Sequence, residues 1–119
     1  MIIRSIHDTG SIQAGDDSVL KELLNPSKES LALRYSLAHA EVAPGRTTTP
    51  HRLTGSEVYY ILEGRGRMHI DAEEAEVSEG QAVYIPPRAV QFIENPGPGV
   101  LKFLCLVDPA WTPSSEEVL

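Results

Sequence analysis

The chain has 119 residues, 41% of them hydrophobic and 23% charged, which is the size and balance of one globular domain. Its formal net charge of −7 opposes binding to DNA or RNA, and the densest basic stretch, Arg65-Gly66-Arg67, is too short to offset that repulsion. No apolar run approaches the roughly 18 residues that cross a bilayer. With a single cysteine, Cys105, and no basic-then-apolar leader after Met1, the expectation is a cytoplasmic protein without membrane or nucleic-acid partners.

In chain order, residues 1–30 read as an N-terminal arm. Within it Ser18 to Leu24 follows Asp16-Asp17, a pair able to cap a helix, and precedes Asn25-Pro26, which would stop one; a helical turn or two, or an irregular arm, is expected there. Residues 31–108 break into short pieces rich in Val, Ile, Leu and Tyr, punctuated by most of the nine glycines and nine prolines, and so read as strands joined by turns. Leu31 to Val42 alternates, with Leu33, Tyr35, Leu37 and His39 on one face and Ser36, Ala38, Ala40 and Val42 on the other. Glu57 to Leu62 and Arg67 to Asp71 flank Gly64 and Gly66 and are expected to pair as an antiparallel hairpin. Gln81 to Ile85 ends at Pro86-Pro87, and Val90 to Ile93 follows. Val100 to Val107 is apolar on both faces, as a strand buried between two sheets would be. Residues 109–119 form a tail whose Trp111 is expected to fold over the body or onto a partner subunit. Many short strands without βαβ alternation predict an all-β sandwich or barrel.

Two segments stand apart. Gly45, His51, Glu57 and Gly64 in the first, and Gly80, Pro86 and Asn95 in the second, match in type and spacing the two signature motifs of the cupin family, which this chain resembles over residues 44 to 95. The resemblance implies a double-stranded β-helix, the jelly-roll barrel, with a divalent metal held inside by three histidines and one glutamate. Three positions depart from the motifs: Leu53 and Gln91 stand where histidines are expected, and Arg88 replaces a glycine. The ligand set implied for this chain is then His51, Glu57 and Gln91, an oxygen-rich group that would hold Mn, Fe, Ni or Zn loosely or hold none.

Residue parity supports the same grouping. His51 and Leu53 share one face of a strand, Glu57 and Tyr59 share one face of the next, and a turn between them brings both pairs into the interior. Leu53, Tyr59, Phe103 and Cys105 are the expected pocket-lining residues. His39 and His69 are expected on the outer surface, and Leu33, Tyr35 and Leu37 suit a homodimer contact of the kind small cupins make. Two functions follow: a metal-dependent enzyme of dioxygenase, decarboxylase or isomerase type acting on a small molecule, or a non-catalytic metabolite-binding module without metal.

Overall fold

The computed structural model describes residues 1–13 and 18–119, and these contain strands but no α-helix. Six strands form the first sheet, in the order β1 (Ile12–Gln13), β2 (Val19–Leu24), β3 (Ser36–Val42), β10 (Leu101–Asp108), β5 (Ser56–Glu63), β8 (Ala82–Ile85). The second sheet runs β11 (Glu116–Val118), β4 (His51–Leu53), β9 (Gln91–Glu94), β6 (Arg65–Ile70), β7 (Glu73–Ser78). Neighbours distant in sequence, such as β3 with β10 and β4 with β9, pair antiparallel. That connectivity closes two sheets on one core, the jelly-roll barrel of the double-stranded β-helix.

The core is the set of inward positions that strand periodicity selects. Ala40 and Val42 of β3, Tyr59 and Ile61 of β5, Ile85 of β8, and Leu101 and Phe103 of β10 meet Met68, Val77 and Ile93 from the other sheet. The Tyr59 and Phe103 rings lie 4.4 Å apart, centroid to centroid.

The structure corrects several expectations. Val19–Leu24 is a strand on β3, not a helix. The pattern VLKELL serves either state, and the unpaired edge of β3 decides between them, because its backbone groups need partners. The Asp16-Asp17 cap lies outside the described residues. The strand expected from Leu31 begins at Ser36.

The expected hairpin does not form. β5 pairs with β10 and β8, whereas β6 pairs with β7 and β9. Gly64 is where the chain leaves one sheet for the other. Its φ of +83° suits glycine, and a Cβ there would stand 2.8 Å from the Val100 carbonyl oxygen.

Finally, β10 is not sandwiched. Leu101, Phe103, Cys105 and Val107 are buried, but Leu104 and Leu106 are only half-buried on an outer face shared with the exposed Tyr60.

Two motif residues have a local physical role. Asn95 donates from Nδ2 to the carbonyls of Val42 (2.8 Å) and Gly99 (2.9 Å), while its Oδ1 accepts from Gly97 N–H at 2.9 Å. It thereby ties the β9–β10 turn to β3. Arg88, at the position the motif gives to glycine, has a φ of +65°, a left-handed conformation that costs a side-chain-bearing residue about 1 kcal/mol or more. Arg88→Gly is therefore expected to raise stability by up to about 1 kcal/mol, seen as a melting temperature a few degrees higher. A lower melting temperature would show that the Arg88 side chain more than offsets its backbone cost.

Candidate functional site

β4 and β5 bring the conspicuous polar residues inward from opposite sheets. His51 and Leu53 point in from β4, and Glu57 and Tyr59 from β5; all four are buried, His51 at 4% and Glu57 at 6% exposure. His51 faces Gln91 directly across the β4–β9 ladder. Gln91 is 1% exposed, and its Oε1 accepts the Tyr59 hydroxyl proton at 2.9 Å. Positions 51 and 91 are thus cross-strand partners, and Gln91 is bonded to Tyr59, which shares the inward face of β5 with Glu57.

His51, Leu53, Glu57 and Tyr59 line a cavity of about 200 Å³. Phe103, Cys105 and Val107 of β10 and Ala38 of β3 complete its inner wall. All four expected pocket-lining residues are therefore on this wall. Gln91 is not part of it and reaches the site through the Tyr59 hydroxyl.

The mouth is built from parts of the chain whose role sequence reasoning did not anticipate. Ser18 immediately precedes β2, Leu20 and Glu22 lie on it and Lys28 is in the loop after it, while Trp111 and Glu116 come from the tail. The alternation of Leu20 and Glu22 within VLKELL was the available signal for the first group. Trp111 is seated by several bonds: its N–H donates to Ser36 Oγ at 3.0 Å, its indole Nε1 to Glu116 at 2.9 Å, and its carbonyl accepts from Asn25 at 3.0 Å. The Lys28 ammonium lies 5.6 Å from the centroid of the indole ring and 2.8 Å from Glu22. The tail thus folds back over its own body. Arg52 and Glu117 then hold β11 to β4 with two bonds of 3.1 Å.

Nδ1 of His51 is 3.0 Å from the Thr49 carbonyl oxygen, which can only accept, so Nδ1 donates and Nε2 is the ring atom turned away from that bond. As a metal site the donor set is thin. It offers one imidazole, one carboxylate and a carboxamide oxygen already engaged by Tyr59, while Leu53 offers nothing. Among the described residues, no three His, Cys, Asp or Glu side chains gather closely enough to hold an ion.

The other histidines stand apart from the cavity. His39 pairs with Lys21 and Leu104 on the outward face of β3 yet is 3% exposed. Its Nδ1 makes no hydrogen bond among the described residues. Burial pushes its pKa below the ordinary histidine value, and the nearby Lys102 and Lys21 act in the same direction against Glu41. His69 stacks on Phe92 at 4.1 Å and contacts Glu94 at 2.8 Å outside the barrel.

Comparison with known proteins places these features in context. The sequence model of the cupin domain matches residues 38–107. An uncharacterized protein of Methanocaldococcus jannaschii is 43% identical over 105 residues, covering 87% of this chain and 83% of that one. The oxalate-binding protein of Thermotoga maritima is 30% identical over 83 residues, covering 68% of this chain and 69% of the relative. Among solved structures, a predicted oxalate decarboxylase of Thermotoga maritima superposes with a TM-score of 0.78 over 92% of this chain and 99% of that one. At 22% identity, the last likeness speaks for the fold alone.

Proposed function

This chain is a member of the cupin family, and from that premise we propose that it binds a small organic molecule inside the barrel. The apolar body of the ligand rests against Leu53, Phe103 and Val107, and its polar head meets His51, Glu57 and Tyr59. The observation that carries this reading is the cavity of about 200 Å³, whose wall is mostly apolar with those three polar side chains at its inner end. An apolar chamber with a few convergent polar groups is the usual form of a small-molecule site. That a relative is named an oxalate-binding protein supports a binding role for barrels of this type.

A second reading, a metal-dependent enzyme of dioxygenase, decarboxylase or isomerase type, draws support from one detail. The Nδ1 contact of His51 with Thr49 fixes the ring in the way that metal-ligating imidazoles are commonly fixed. The donor set argues against it. A tightly held transition ion asks for three or four strong ligands, and among the described residues the motif positions supply two, His51 and Glu57. These residues do not fit a resident metal.

Elemental analysis of untagged protein purified with Mn, Fe, Ni and Zn supplied is expected to find far less than stoichiometric metal. His51→Ala is expected to weaken any cavity ligand by roughly tenfold, the worth of one buried hydrogen bond. Near-stoichiometric metal that disappears in His51→Ala or Glu57→Ala would replace the binding reading with the enzymatic one.

A further inference from the structure

The register of the six-stranded sheet fixes what its outer face presents. Lys21 pairs with His39, His39 with Leu104, Leu104 with Tyr60 and Tyr60 with Ala82, which makes one row of side chains across β2, β3, β10, β5 and β8. The adjoining row runs Leu24, Leu37, Leu106, Val58 and Tyr84, with the tyrosine hydroxyl as its one polar group. Cross-strand partners share a face, and the alternate residues Ala38, Phe103, Cys105 and Tyr59 line the cavity, so both rows lie outside the barrel.

Tyr60 is 42% and Tyr84 64% exposed, and the leucines and Val58 of the two rows are half-buried. Soluble monomers rarely show water a contiguous apolar patch of this kind. With five strands about 4.8 Å apart and three rows about 6.8 Å apart, the face measures roughly 24 Å by 20 Å. That is the scale on which a stable contact covers about 800 Å² of accessible surface on each partner.

Charge and shape say what covers it. The third row is charged but balanced: Glu41 meets Lys102, whose ammonium lies 3.5 Å from Glu63. Together with Lys21 the face carries two ammonium groups against two carboxylates, and burial holds the His39 pKa below the ordinary histidine value, which keeps that ring neutral at pH 7. The whole chain carries −7, so two copies repel one another everywhere except on a balanced face such as this. The inner strands of the sheet spend their backbone hydrogen bonds on their own neighbours, and contact must therefore be made by side chains. A twisted sheet packs well on another of the same twist, at about −30°. A second copy supplies that match.

We infer that this face is covered by the same face of a second copy, in a two-fold dimer whose cavities lie back to back on the inner sides of the shared strands. Of the three residues expected at such a contact, Leu37 lies on it, whereas Leu33 and Tyr35 precede β3. The dimer does not depend on what the cavity binds.

Sedimentation velocity on the full chain, from about 1 to about 100 µM, is expected to reveal a species of twice the 13.0 kDa of one chain. Tyr60→Glu combined with Tyr84→Glu changes two side chains that are exposed in the single chain. That double variant is expected to keep its circular dichroism and to raise the dissociation constant at least about 100-fold. Glu76→Lys, on the outer face of the other sheet, should leave the dimer intact. Hydroxyl-radical footprinting of the unaltered protein serves if the double variant does not fold: labelling of Tyr60 and Tyr84 should fall severalfold as the concentration rises.

Three results would each overturn the dimer: a chain that stays single at about 100 µM, a dimer that survives the double variant, or tyrosines labelled equally at both concentrations. A single chain that floats with phosphatidylcholine vesicles would give the face to lipid instead.

Discussion

Leu53→His is expected to raise the affinity of the barrel for Ni²⁺, Zn²⁺ or Mn²⁺ by roughly 100-fold, as an added imidazole turns two strong donors into three. Leu53 follows His51 by two residues on β4, and both side chains are buried on the same cavity wall as Glu57. The new ring therefore enters where the second motif histidine of the family would stand. Without metal the variant buries a polar group and is expected to lose about 1–3 kcal/mol; metal should return that loss, because an ion that binds only the folded state stabilises it by mass action. Equilibrium dialysis and melting curves with and without each ion check both halves. Unchanged metal affinity in a folded variant would show that position 53 cannot be turned toward His51 and Glu57.

The second large effect concerns folding. Gly64→Ala is expected to cost about 3 kcal/mol and to lower the melting temperature by roughly 10–15 °C. Two penalties add at this position. The backbone there is left-handed, with φ of +83°, and the new Cβ would sit 2.8 Å from the Val100 carbonyl oxygen, a backbone atom held at the start of β10. Neither can relax without moving the point at which the chain passes from β5 to β6. Denaturant unfolding measures the loss, and a change under about 1 kcal/mol would mean that the crossover between sheets tolerates a different path.

These two positions also show how far the sequence alone reaches. The all-β class was legible because short alternating runs and turn residues leave a sandwich or a barrel, and the barrel followed from the resemblance of the Gly45–Asn95 spacing to the cupin motifs. The inner site was legible because strand parity is a local rule: His51 with Leu53, and Glu57 with Tyr59, share faces whatever the strands pair with. Partners are a different matter. Gly64 reads as a hairpin turn from its neighbours, yet β5 and β6 lie in different sheets, because pairing is settled by which distant strand offers the better ladder and apolar face.

The mouth was illegible for a related reason. VLKELL has two periodic interpretations, and its strand state depends on the edge of β3, where Val19 meets Glu41 and Leu24 meets Leu37. The inward placement of Glu116 depends on the tail folding across the molecule to pair with β4. Spacing reads Gln91 either as a metal ligand or as a hydrogen-bond partner inside the barrel; that it holds the Tyr59 hydroxyl is a matter of angstroms, which spacing cannot resolve.

The chamber has a floor and a doorway of different origin. β3, β4, β5 and β10 make the floor, while the doorway is furnished by residues before position 31 and after position 108. Within these terminal segments, side chains that face the opening can be exchanged while the backbone pairing of β2 with β3 and of β11 with β4 is kept. A protein built on this plan can therefore change its clientele by revising its two ends, keeping the same room behind a new door.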